Sequence, residues 1–129
     1  MAVRIVRLGA KRYPDEGLRI GTVRRPPRGV KKSDYAARDI YDVWLPNLAP
    51  SEPLLKQAMA ARDDPAGWRG FVRRYRAEMK AAEPARVLDV LAALSHHADF
   101  SVGCYCADET RCHRSVLREL LTARGARMR

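Results

Sequence analysis

All three cysteines of the chain fall within nine residues, in the stretch "CYCADETRCHRSVLRELL" at residues 104–121, whose one Cys-His pair stands where a helical pattern begins. These residue types at this spacing suit three kinds of chemistry. The first is nucleophilic. A helix start lowers a thiol pKa through its unpaired N–H groups and dipole, and Arg111 and Arg114 add positive charge, so Cys106 or Cys112 can serve as nucleophile with His113 as base. The second is anion binding, with the backbone N–H groups of the helix start joined by His113, Arg114 and Ser115 around a phosphate. The third is metal ligation by Cys104, Cys106, Cys112 and His113. Zinc knuckles pair ligands two to four residues apart, and a Cys-x-Cys in a strand followed by an adjacent Cys-His pair needs an unusually tight loop. No metal ligand and no cofactor are expected.

The segment "CADETR" has the Cys-x4-Arg spacing of a rhodanese-type anion cradle, from Cys106 to Arg111. Two features oppose that reading. Asp108 and Glu109 would repel an anionic substrate inside the loop meant to hold it, and the Gly and Ser residues that usually build such cradles are absent. A bland reading stands beside all of these. A small cysteine such as Cys104 at a strand end is an ordinary core residue, and His96 and His97 read as a polar helix end.

The elements that must position this segment follow from periodicity and punctuation. Residues 3–9, "VRIVRLG", and 18–24, "LRIGTVR", alternate loosely as strands, and the Pro-Asp and Gly between them suit a turn joining neighbouring strands. "RRPPRGVKKSDYAARD" follows. Pro26, Pro27 and Gly29 forbid regular structure there, leaving a long basic loop and a second place to look for function. Ser51 caps a helix bearing Leu54, Leu55, Ala58 and Met59, and Asp64-Pro65 starts another with Trp68, Phe71, Val72, Tyr75 and Met79 on one stripe. Pro84 separates that helix from a third with Val87, Leu88, Leu91 and Leu94. The short apolar run "DFSVGCYC" reads as a buried strand, and Thr110 as the N-cap of a last helix with Cys112 and His113 in its first turn. Residues 122–129 form a basic tail expected to fray.

A helix, a buried strand, a loop and a helix in that order predict an α/β fold. The expected architecture is one small domain over residues 1–129, a mainly parallel sheet flanked by helices in three α/β/α-like layers. In such sheets ligands bind beyond the carboxyl ends of the strands, where the cysteine loop lies.

Composition sets the class. Hydrophobic residues make up 47% and charged residues 31% of the 129, and no apolar run approaches the roughly 18 residues of a membrane span. With no secretory pattern at the N-terminus and an odd number of clustered cysteines, a cytoplasmic protein with reduced thiols and no membrane partner is expected. The net charge of +10 is uneven: residues 1–38 balance at +8, 39–110 at −3 and 111–129 at +5. Basic ends brought together attract phosphate, nucleotide or nucleic acid. Arg28 and Lys31 of the basic loop are the residues expected to close over such a ligand, and Tyr35, Tyr41 and Trp44 offer rings for base stacking.

Three separated motifs in order, "RPPRGVKKSDYAARDIYDVWLPNLAPS", "WRGFVRRYRAEM" and "CYCADETRCHRSVLRELL", resemble the bacterial family catalogued as domain of unknown function 488, in the branch related to YeaO-like proteins. The resemblance covers residues 4–121 and implies a compact α/β domain. It also implies a site in which a cysteine, a short acidic loop and a Cys-His-Arg helix start recur, here Cys106, Cys112, His113 and Arg114. The expected function is binding of a phosphate-bearing ligand, nucleotide or nucleic acid between the basic loop and residues 106–114. A thiol-dependent enzyme acting on a small substrate, and a binding or interaction module without chemistry, are the alternatives.

Overall fold

The computed structural model describes residues 1–61 and 63–129. Four strands, β1 (Val3–Arg7), β2 (Leu18–Gly21), β3 (Val43–Trp44) and β4 (Phe100–Cys104), form one parallel sheet in the order β1-β4-β2-β3. The helices are α1 (Glu52–Ala60), α2 (Pro65–Met79), α3 (Ala82–Leu94) and α4 (His113–Ala123). The α/β fold with a parallel sheet and flanking helices is therefore observed. Among the described residues no helix is long and apolar enough to cross a membrane.

Sheet order differs from the expectation that β1 and β2 are neighbours. β4 inserts between them, pairing Val3 with Phe100 on one side and Leu18 with Phe100 on the other. All five β4 residues are buried, which is why its sequence is a continuous apolar run rather than an alternation. Close packing fixes small residues beside it. A Cβ on Gly103 would sit 2.4 Å from the Val6 carbonyl oxygen, and one on Gly21 would sit 2.4 Å from the Tyr41 ring.

Local chemistry starts the helices. Ser51 accepts from the Leu54 N–H and donates from Oγ to Glu78 of α2 at 2.5 Å, so one side chain caps α1 and ties it to its neighbour. Asp64 accepts from the Ala66 N–H, with Pro65 at the first position where its missing N–H costs nothing. Pro84 does not separate α2 from α3. It lies in the first turn of α3, and the break falls at Lys80 and Ala81.

The main core joins β-strand residues Val3, Ile20, Phe100 and Val102 to Leu54, Tyr75, Leu88 and Leu117, so all four helices share one cluster. By strand alternation Arg4, Arg19, Ser101 and Gly103 face the other way. That layer is made of loops and a single 3-10 turn at Lys32–Asp34 rather than of long helices. Arg19 and Glu16 pair there at 2.6 Å, both fully buried, and Tyr41 packs on Gly21. The tail is not frayed. The Val3 N–H donates to Arg127 O and the Arg129 N–H to Val3 O, each at 2.9 Å, so residues beyond α4 bridge to the outer edge of β1.

Candidate functional site

The carboxyl end of central β4 delivers Cys104, and the chain then leaves the sheet through Tyr105 and Cys106. It turns through a 3-10 segment, Glu109–Arg111, before entering α4. Thr110 is not the cap of α4. Asp108 accepts from both the Thr110 N–H (3.0 Å) and its Oγ1 (2.6 Å), which nucleates the 3-10 turn and places Cys112 at the N-cap of α4, one position before its first turn.

This turn folds the loop back on the strand. The sulfurs of Cys104, Cys106 and Cys112 lie within 4.8 Å of one another, Cys104 and Cys112 buried and Cys106 exposed. Cys104 and Cys112 Sγ approach to 2.6 Å. Cys106 is drawn well down toward the thiolate because the Cys104 and Cys112 thiols donate to it and Arg114 adds positive charge, against the cost of burial. Cys104 moves the opposite way, its thiol form favoured by hydrogen bonding with Cys106 first and Cys112 second and by its apolar setting. Cys112 is lowered by donation from Cys104 but raised more by its own donation to Cys106 and by burial, ending pushed up to about 11.

His113 belongs to the inner wall. Burial brings it down to about 4, so the ring is neutral at pH 7. Its Nε2 lies 2.8 Å from the Thr22 carbonyl, which can only accept; Nε2 therefore carries the proton, and the Nδ1 lone pair looks toward Cys112 Sγ at 3.7 Å. Tyr75 stacks edge-on to the ring at 5.5 Å and anchors its own hydroxyl on Leu48 O at 2.6 Å. Among the described residues His113 makes no hydrogen bond with Cys106. Of the two sulfurs expected to pair with it, the ring faces that of Cys112.

The other expected ligands divide. Arg114 is buried and donates to the Cys106 carbonyl, with its Nε lacking any partner among the described residues. Ser115 turns inward, its Oγ donating to Cys112 O at 2.9 Å. Arg111 lines a small cavity of about 90 Å³ with Cys106, Cys112 and Trp68. Arg28 lines a second cavity of about 670 Å³ between the basic loop and α1, on whose wall Cys104, Cys106 and His113 also lie. Lys31 is exposed and not on that wall. Tyr41 is core, edge-on to Tyr35 at 5.1 Å, and Trp44 donates its indole N–H to Val23 O at 2.8 Å.

Sequence reasoning missed Arg24. Its guanidinium donates to the carbonyls of Pro46, Ala49 and Pro50, which pins the start of the basic loop beside α1 and gives the larger cavity its wall. Three carbonyls ahead of a helix have no sequence signature, so nothing pointed to it. The acidic residues that opposed an anion cradle are also occupied: Asp108 by Thr110, and Glu109 by Arg118 at 2.7 Å.

A family model described as "Active DUF488-N3 subclade" matches residues 3–125, nearly the whole chain. The chain belongs to the DUF488-N3a family. The match spans β1 through the end of α4, so in this DUF488-N3a member both walls of the cysteine site lie inside the family's extent. Comparison with curated proteins returned no match, and neither did comparison with solved structures.

Proposed function

We propose that the protein is a thiol-dependent enzyme in which Cys106 is the nucleophile and the substrate is a small molecule bearing a phosphate or similar anion. One observation carries the reading. Cys106 is the exposed member of a three-thiol cluster, on the wall of a cavity whose rim carries Arg28 and Lys56, neither ion-paired among the described residues. A thiol drawn toward its thiolate form needs no separate base to begin a displacement. The sulfur forms the new bond, and the leaving group departs with its electron pair. Arg114, holding the Cys106 carbonyl, fixes the loop that carries the sulfur. The family's description as an active subclade is in keeping with an enzyme, and clustered reduced thiols suit a cytoplasmic setting.

The test is competitive labelling at pH 7 with iodoacetate and its neutral analogue iodoacetamide, read by peptide mass spectrometry. Cys106 reacts first, at least about tenfold faster than a cysteine peptide, and Cys104 and Cys112 stay unlabelled until the protein unfolds. Labelling of Cys106 at the peptide's rate overturns the reading.

A second reading, binding of nucleotide or nucleic acid without chemistry, is favoured by the same unpaired cations and by the half-exposed Trp44. It predicts affinity that falls steeply with salt and weakens on replacing Arg28 and Lys31 by Ala. No binding of single-stranded oligonucleotide or nucleotide at low salt removes it.

A further inference from the structure

We infer that Cys104, Cys106 and Cys112 form a binding site for a thiophilic d10 ion of the zinc or copper(I) kind. The inference stands apart from the enzymatic reading, since it needs the three sulfurs together and no reaction. Sequence spacing argued against zinc because a Cys-x-Cys in a strand followed by adjacent Cys112 and His113 needs an unusually tight loop. The fold assembles the donors differently. One sulfur comes from the end of the central strand, one from the N-cap of α4 and one from the loop between them, and all three lie within 4.8 Å of one another. An ion with Zn–S bonds of about 2.3 Å in tetrahedral geometry needs sulfurs roughly 3.8 Å apart, so Cys104 and Cys112, whose sulfurs stand at 2.6 Å, part on binding while Cys106 closes in from the loop.

Two of the donors are buried and the third is exposed, so an ion has both an enclosed seat and a path of entry. The surroundings suit the donor set. Thiolates select soft ions over hard ones. The neighbouring His113 holds its Nε2 proton on the Thr22 carbonyl and turns its Nδ1 lone pair to the sulfur side, which is the backbone-anchored tautomer found in metal-ligating histidines. Binding releases the thiol protons to solvent as the sulfurs ionise.

The experiment is titration of fully reduced, zinc-free protein with Co²⁺, followed by displacement with Zn²⁺. One equivalent of Co²⁺ per chain brings up an intense near-ultraviolet sulfur-to-cobalt charge-transfer band, and Zn²⁺ abolishes it. Cys106→Ala, at an exposed position whose loss leaves no cavity, weakens binding by more than the ~100-fold that loss of an outer-shell partner costs. Cys104→Ser does the same in protein shown by circular dichroism to be folded. Absence of the band at excess Co²⁺, or unchanged affinity in Cys106→Ala, overturns the inference. Rapid alkylation of Cys106 in zinc-free protein that shows no cobalt band overturns it while leaving the enzymatic reading standing.

Discussion

Two buried polar clusters flank the same central strand, and they are built to opposite rules. Around Ser101, Glu16 accepts from Arg19, Ser101 and the Tyr13 N–H, and Arg19 spends its remaining donors on the carbonyls of Ala10 and Asp39. Glu16, Arg19 and Ser101 are fully buried and each is hydrogen-bonded, while the Nε of Arg4, in register with Ser101, is the one buried side-chain nitrogen beside them without a partner among the described residues. Around Cys104, three residues further along β4, the cluster is left open. Cys106 reaches solvent, and the Nε of Arg114 and the hydroxyl of neighbouring Tyr105 have no partner among the described residues. A saturated network contributes to holding a fold together; an unsaturated one beside a cavity has capacity left for a ligand.

Substitutions that pull stability and reactivity apart would sharpen this contrast. The largest effect belongs to the closed cluster. Glu16→Ala strands the buried Arg19 charge and lowers unfolding free energy by about 3–5 kcal/mol in urea denaturation, while the labelling rate of Cys106 in the folded protein is unchanged. An equal change in both would show that the clusters are coupled. Cys112→Ser follows, costing about 1–3 kcal/mol for a buried hydroxyl in an apolar site. Because it removes a thiol donor, it also slows Cys106 alkylation by iodoacetate.

Acid separates the clusters next. Burial opposes ionisation of Glu16, but donation from Arg19 and Ser101 outweighs it and holds the carboxyl below its ordinary value of 4.5. A depressed folded pKa means the unfolded chain binds the extra proton. This contribution is therefore complete above about pH 4.5 and lost as the pH falls below it. Glu16→Gln flattens that acid limb in a pH series of thermal unfolding, and an unchanged limb would refute the assignment. The smallest effect is at the rim. Arg28→Ala leaves stability within about 0.5 kcal/mol, as for surface sites generally, and weakens capture of inorganic phosphate or a nucleotide several-fold at low salt, less at high salt.

Much of the site's address was legible before its geometry. The apolar run from Asp99 to Cys106 marked the buried strand, which ends at Cys104, Ser51 and Asp64-Pro65 marked two helix starts, and the strand-loop-helix order marked the loop where the three sulfurs gather. What escaped was non-local or depended on competition between caps. Nothing in residues 3–24 reveals that β4 will insert between β1 and β2, because strand order is decided by packing across most of the chain. Thr110 and Asp108 both suit a cap, and Asp108 prevails by making a tight 3-10 turn that swings Cys112 onto Cys104. The likeness of Arg114 and Ser115 to anion ligands was a statement about residue type. Their use on Cys106 O and Cys112 O is a statement about orientation, which spacing does not encode.

β1 is enclosed on both edges by segments from the far end of the chain. Phe100 pairs with it on one side, residues 127–129 on the other, and even the Ala2 N–H finds its acceptor on Asp99, a separation of 97 positions. Until those distant segments arrive, this strand has two unpaired edges and an apolar face open to any passing strand. Such long loop closures slow folding and lengthen the interval in which intermolecular pairing competes. The basic side chains at Arg4 and Arg7 put charge on that strand, the kind of residue that discourages edge-to-edge pairing, and in the folded chain Arg7 turns its Nε to the Tyr105 carbonyl beside the sulfurs.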